Sequence, residues 1–416
     1  MNDSQSSAIT LKEIETQALL TCREAFARYD EVAVKNTEKI LTAFRECQLS
    51  AFHFQGTTGY GYDDVGRETL EKGFAHVFRA EKALVRPHFV SGTHALATVL
   101  LALLNHGDEM VCAMGTPYDT MQTVIGLTGN APGNLRERGV AYHEVATKDG
   151  RCDLTALANA VGPKTRLVLI QRSRGYAERK ALTITEIAEI IRVIKAKNPQ
   201  TICFVDNCYG EFTATQEPIE VGADIAAGSL IKNAGGGIAP TGSYVVGRAD
   251  LVEATAHQLT APGLGDEMGS YTPGYRLFFE GLFMAPHVVG QALRAAEFAA
   301  AVFHRLGFKS EPQLGTERSD LIQTIELGTE KALCGFCEGL QAWSPVDGYV
   351  RPVPGELPGY ADPIIMACGA FTQGSSIELS ADGPLRAPYT VYLQGGLVFE
   401  HSRLAIMGAA AKVLEQ

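Results

Sequence analysis

Long apolar runs are missing from this sequence. The best candidate, ALATVLLALL at 95–104, falls short of the ~20 residues a membrane-spanning helix needs. Net basic charge is missing too. Lys and Arg number 36 against 47 Asp and Glu, a formal charge of −11, which disfavours nucleic acid and anionic membranes as partners. It does not disfavour a small anionic ligand, because a local site can oppose the global sign. The N-terminal stretch MNDSQSSAITLKEIETQALLTC lacks a basic flank followed by an apolar run, so no secretory leader is expected there. Nine cysteines, an odd number scattered through 416 residues, do not read as a disulfide framework. Reduced thiols and a cytoplasmic location are expected. Cys334 and Cys337 form a lone CxxC with no second pair nearby, so two thiols on one helix are favoured over a zinc or redox site. Internal repeats and low-complexity tracts are absent.

What is present suits a large folded core. Hydrophobic residues make up 46% of the chain and charged residues 20%, ordinary values for a globular protein long enough for two domains. Residues 11–50 carry apolar positions at helical spacing and predict helices that dock on another surface, a second subunit being one candidate. From 82 to 250, strand-like runs (KALVRPHFV, EMVCAM, RLVLIQ, TICFVD, GSYVVG) alternate with helical ones (HALATVLLALLNHG, ITEIAEIIRVIKAKNP). That alternation predicts an α/β domain with a mostly parallel sheet and helices on both faces. A long helix near 275–306 follows. Then come SDLIQTIEL, a helix near 330–342, a Pro-rich loop RPVPGELPGYADP, strands near IIMACGAF and SSIELSA, and a final helix. The expected organisation is a helical segment at 1–52, a large domain at 53–275 and a smaller α+β domain at 276–416.

Ligands of open α/β sheets sit at the carboxyl ends of the strands, and four features fall there. SGTHA (91–95) lies at a strand–helix junction, where Gly92 permits a sharp turn and the first N–H groups form an anion site; the plainer reading is an N-cap. Tyr118 in GTPYDT could cover a planar ligand or simply pack in its loop. Asp206 in FVDNCYGEF follows an apolar strand and needs a cationic or N–H partner, unless it is only a turn aspartate. Lys232 sits in DIAAGSLIKNAGGGIAPTGSY (224–244) among residues that cannot pair with it. Desolvation there is expected to lower its pKa and make it a nucleophile able to condense with an aldehyde, the alternative being a solvated loop lysine. Together the four describe one ligand, pyridoxal phosphate. Its aldehyde suits a Lys, its ring nitrogen an Asp, its face an aromatic, and its phosphate a helix N-terminus with hydroxyls.

Six stretches carry a family resemblance: GYGYDDVGRETLE (59–71), SGTHAL (91–96), QRSRGY (171–176), FVDNCYGEF (204–212), SLIKNAGGGIAPTGSY (229–244) and SIELSADGPLRAPYTVYLQGG (376–396). The chain resembles fold-type I pyridoxal-phosphate enzymes of cysteine and methionine metabolism. Within them it is similar to the aluminium-resistance family, described as methionine gamma-lyase-like or cystathionine beta-lyase-like. The resemblance implies that Lys232 is the Schiff-base lysine, Asp206 the partner of the ring nitrogen and Tyr118 the stacking residue; the expected catalytic pair is Lys232 as general base with Tyr118 assisting proton transfer. Gly92, Thr93 and Ser229 would hold the phosphate. Tyr60 would reach the cofactor of a neighbouring subunit, making a homodimer or homotetramer with shared sites. Two departures stand out. The lyases' Tyr-x-Arg is Tyr60-Gly61-Tyr62 here, and their Arg-Leu-Ser, whose arginine grips the substrate carboxylate, aligns with Glu378-Leu379-Ser380. Arg386 is the expected replacement, with Arg172 and Arg174 as further candidates.

The expected activity is elimination of a sulfur leaving group from an amino acid such as methionine or cystathionine. Aldol cleavage or transamination on the same scaffold is the nearest alternative. A metal-tolerance protein without enzymatic activity would need clustered surface carboxylates, and the acids here are dispersed. A nucleotide site at GTTGYG lacks both a preceding strand and GK[ST].

Overall fold

Three apolar runs of the middle region, EMVCAM, RLVLIQ and TICFVD, become neighbouring strands in the parallel part of a sheet, covered on both faces. The structure is a computed structural model that describes residues 10–175, 177–356 and 362–416. Tyr176 of QRSRGY, residues 1–9 of the N-terminal segment and residues 357–361 of the Pro-rich loop lie outside the described residues. Strands β1 (Lys82–Arg86), β2 (Glu109–Cys112) and β3 (Ala141–Glu144) are followed by a small hairpin, β4 (Thr147–Lys148) and β5 (Arg151–Cys152). Then come β6 (Thr165–Gln171), β7 (Ile202–Asp206), β8 (Ile225–Ser229) and β9 (Ser243–Gly247). The seven-stranded sheet runs β1-β9-β8-β7-β6-β2-β3. β9 is antiparallel to both of its neighbours, and β8, β7, β6, β2 and β3 pair in parallel.

Alternation sets the two faces. Val168, Ile170, Cys203, Val205, Ala226 and Val246 enter one core, under the helices Val65–Phe78 and Ile184–Lys197. Leu167, Leu169, Ile202, Phe204, Ile225 and Val245 enter the other, under Gly92–Leu103 and Ala249–Leu259. The run IAAGS, small enough to pass for loop, is the fully buried strand β8.

The smaller unit is an antiparallel sheet, β10-β11-β14-β13-β12, formed by β10 (Lys309–Glu311), β11 (Gln323–Glu326), β12 (Ile364–Cys368), β13 (Ser380–Pro384) and β14 (Thr390–Gln394). Strand β13 begins at Ser380, so most of the expected strand SSIELSA is bends leading into it. Helices Glu330–Gln341 and Phe399–Leu414 cover its apolar side. Cys334 and Cys337 share the first of these helices as free thiols.

One helix, Arg276–Arg305, serves both cores: Phe278 to Leu293 pack in the large one and Ala295 to Phe303 in the small one. The N-terminal helices Leu11–Thr21 and Arg23–Glu46 dock on that helix within the same chain. Tyr29 donates to Glu297 Oε2 at 3.2 Å, and the buried Arg318 Nε donates to the same oxygen at 2.7 Å. Among the described residues no helix is long and apolar enough to cross a membrane, and no group of three or more His, Cys, Asp or Glu could hold a metal ion.

Candidate active site

Strands β6, β7 and β8 end on Gln171, Asp206 and Ser229, and all three line one cavity of about 290 Å³ at the carboxyl edge of the sheet. In-register parallel pairing sets Gln171 beside Asp206. From the next strand over, the loop after β2 brings Tyr118. The junction after β1 brings Gly92 and Thr93, and the turn after β8 brings Lys232. Six of the eight residues expected at the site therefore converge: Gly92, Thr93, Tyr118, Asp206, Ser229 and Lys232.

The helix Gly92–Leu103 opens onto this cavity. Ser91 caps it, its Oγ accepting from His94 N at 3.0 Å. The first N–H groups of the helix have no intrahelical partners and carry its positive end. A Cβ on Gly92 would approach Ser229 Cβ to 3.3 Å, so a larger residue would narrow the cup between them. Ser229 Oγ is buried and has no hydrogen-bond partner among the described residues, while Thr93 Oγ1 and Thr120 Oγ1 lie 2.8 Å apart. An orphaned buried hydroxyl is costly; here it faces a cup already biased toward an anion.

Asp206 lies at the floor. Burial pushes its pKa up, against the nearby Lys232 charge, the N–H of Cys208 at 3.2 Å and the Arg179 guanidinium. Lys232 corrects an expectation. Burial does oppose its charge, but the acidic groups around it, Cys208, Tyr209, Asp206 and Tyr118, outweigh burial and raise its pKa. Of these, Cys208 is kept a neutral thiol by its own burial, so Asp206 is the counter-ion. The ammonium also sits 4.3 Å from the centre of the Tyr209 ring, a cation–π contact. Tyr209 adopts φ 71°, a left-handed conformation that costs a tyrosine about 1–3 kcal/mol; the surrounding fold holds it.

Behind this floor lies a buried carboxyl network. Glu211 Oε1 accepts from Tyr244 Oη at 2.8 Å and sits where a Cβ on Gly228 would come within 2.3 Å of it. Burial raises the Glu211 pKa to about 8. Glu217 accepts from Phe212 N at 2.8 Å and from Asn207 Nδ2 at 3.0 Å.

The remaining expected residues lie elsewhere. Arg386 does not line the cavity. Its side chain is 60% exposed and pairs with Asp362 at 3.3 Å, because it sits in the turn between β13 and β14. Arg172 is fully buried and held by Asn207 Oδ1 at 2.8 Å and Thr213 Oγ1 at 3.0 Å. Arg174 is buried behind the wall, near Thr324 Oγ1 at 3.4 Å. Glu378 does not face the cavity either: its carboxylate accepts from Phe371 N and Thr372 N, both at 2.8 Å. The strand that does reach in from the small sheet is β14, through Tyr392 and Gln394. Tyr60 is 67% exposed, outside its own chain's cavity. The buried Arg67 braces its loop by donating to Gly61 O at 2.7 Å, and Gly269 N donates to Tyr60 O at 2.9 Å.

Sequence reasoning assigned no role to Tyr209, Cys208, Gln171, Tyr392 or Gln394, which also line the cavity. The strand-end position of Gln171 was the one local signal available. The left-handed turn at Tyr209 and the reach of β14 depend on tertiary structure.

The methionine gamma-lyase family profile matches residues 11–414. The uncharacterized protein YnbB of Bacillus subtilis is 46% identical over 389 residues, 93% of this chain and 92% of its own. A Listeria monocytogenes protein named as a candidate cystathionine beta-lyase involved in aluminum resistance superposes with a TM-score of 0.95 at 45% identity, covering 97% of this chain and 100% of that one. A carbon-sulfur lyase involved in aluminum resistance from Clostridium novyi superposes with a TM-score of 0.93 at 44% identity, covering 97% and 96%. The architecture is that of the fold-type I pyridoxal-phosphate enzymes, and the chain belongs to the methionine gamma-lyase family.

Proposed function

We propose that this protein is a pyridoxal-phosphate-dependent carbon–sulfur lyase acting on a sulfur-containing amino acid. The observation that carries the reading is the meeting of Lys232 and the buried Asp206 in one cavity with an anion cup at the start of the helix Gly92–Leu103. The orphaned Ser229 Oγ beside Gly92 fits a phosphate, which would supply the missing partner. Asp206 fits a protonated ring nitrogen, and the Tyr118 ring at the cavity wall fits a flat group. When bound, pyridoxal phosphate supplies an aldehyde for the substrate amine and a protonated ring that draws electron density from Cα.

The chain's own residues then divide the work. Ser229 Oγ, Thr93 Oγ1 and the first N–H groups of the helix anchor the phosphate. Asp206 would face the ring nitrogen, a cation that opposes the upward pull of burial on its pKa. Lys232 Nζ, the sole basic side chain lining the cavity among the described residues, takes the proton at substrate Cα as general base and returns a proton later. Leu96, Met121, Ile231 and Ile322 form apolar wall, which limits water and suits a thioether side chain. Tyr60, exposed yet braced by Arg67, supports a homodimer in which each chain completes its partner's site.

The test is direct. Protein loaded with pyridoxal phosphate should be yellow, bleach on borohydride reduction and carry the label on Lys232. A panel of methionine, cystathionine, cysteine, serine and threonine should yield ammonia and a keto acid from a sulfur-containing member. A Lys232→Ala protein that still turns over substrate would sink the mechanism, and a one-turnover product without ammonia would indicate transamination.

A further inference from the structure

Beside Ser229, whose orphaned hydroxyl suits the phosphate, Gln394 is a second polar side chain of the cavity without a partner among the described residues. Gln171 is engaged on both sides, accepting from Tyr118 N at 3.0 Å and donating to Ser173 O at 3.2 Å. Ser173 donates to Asp320 Oδ2 at 2.8 Å, and Thr93 and Thr120 pair with each other. The Gln394 amide lines the same cavity, half-buried, with no side-chain partner among the described residues. Its place is fixed by the strand. Val391 and Leu393 are buried in the small core, so alternation sends Tyr392 and Gln394 to the opposite face. The strand end is pinned just beyond. Gly395 (φ 75°) and Gly396 (φ 139°) make the exit, where a Cβ would come within 2.3 Å of Glu378 O and 2.4 Å of Ser402 Oγ.

Resting on the reading of the cavity as an amino-acid site, we infer that Gln394 receives the substrate's carboxyl end. A neutral amide thereby does the task that an arginine performs elsewhere. Lys232 is committed to the reacting centre, and no arginine lines the cavity among the described residues. An amide N–H donates to a carboxylate or to a carboxamide alike, whereas a guanidinium fork strongly favours the carboxylate. The substrate class is therefore a sulfur-containing amino acid whose carboxyl group need not be free, such as its amide.

The experiment titrates the holoenzyme, following the visible band of its cofactor, with L-methionine, L-methioninamide and 3-(methylthio)propylamine, which lacks the carboxyl group. Wild-type dissociation constants for the first two should agree within about tenfold. Gln394→Ala should weaken both by about tenfold and leave the plain amine unchanged. The isosteric Gln394→Glu should weaken methionine more than its amide, and Gln394→Arg should restore a preference for the free acid. Arg386→Ala should change none of the three. The inference is overturned if Arg386→Ala weakens methionine while Gln394→Ala does not, or if the wild type ignores the carboxyl group altogether. Keto-acid release is assayed separately. A Gln394 effect on binding without release of keto acid would refute the lyase reading alone.

Discussion

Glu211 shows how a residue can matter to the site without touching it. Its carboxyl group wedges under Gly228, one position before Ser229, and its backbone carbonyl accepts from Asn233 Nδ2 at 3.0 Å, one position after Lys232. It therefore braces the turn that carries both. With the folded pKa raised by burial to about 8, the neutral form is the one the fold prefers. Stability from this group is full below the ordinary glutamate pKa and is lost as pH rises toward about 8, at no more than about 1.4 kcal/mol per pH unit. Denaturant unfolding of Glu211→Gln should show a shallower decline across that window than the wild type. An identical slope would mean that Glu211 does not carry the charge penalty. Legibility differs sharply among residues. Asp206 and Gly92 follow strands that local sequence shows, and Lys232 was legible as a lone charge in a small, apolar, glycine-rich stretch rather than through its strand. Arg386 follows a strand just as closely, but in the turn between β13 and β14 rather than at the end of β14. The choice between those strands is one of sheet order, which local sequence does not contain.

At the scale of elements, the helix Gly92–Leu103 and strand β8 must approach closely enough for a two-sided anion cup. Gly92→Ala adds a methyl group 3.3 Å from Ser229 Cβ, tighter than ordinary packing. The fold should survive, since Ser91 still caps the helix, but pyridoxal phosphate should bind about tenfold or more weakly by equilibrium dialysis. Unchanged affinity would show that the cup does not hold the phosphate. Strands β1, β2, β6, β7 and β9 of the large sheet were readable because apolar runs between turn signals are strong patterns, whereas the exposed edge strand β3 carries no such run. Strand β8 was hidden: Ile-Ala-Ala-Gly-Ser lacks β-branched bulk beyond its first residue, and what makes it a strand is burial between β7 and β9. The N-terminal helices were legible as helices but not their docking surface, which is the chain's own helix Arg276–Arg305.

For the whole molecule, the exposed position of Tyr60 turns the dimer proposal into a complementation test. Tyr60→Ala and Lys232→Ala chains should each be weak or inactive alone. Mixed, unfolded together and refolded, they should regain activity, because half of the sites in a mixed dimer carry both native residues. Failure to regain activity, with mixed dimers verified by mass, would place Tyr60 outside a shared site.

The helix Arg276–Arg305, at about 45 Å from its 30 residues, has a bearing on recombination. Its first half is shaped to one core and its second half to the other, with Pro286 buried between turns of the first. A crossover between this chain and a distant relative placed near residue 294 leaves each half-helix with the core it is shaped to, whereas one placed nearer either end mates part of a half-helix with a foreign core. Chimeras that exchange the small sheet keep the second half of the helix with it, together with the N-terminal helix Leu11–Thr21 that packs in the same core, so that segments at opposite ends of the gene travel as one unit.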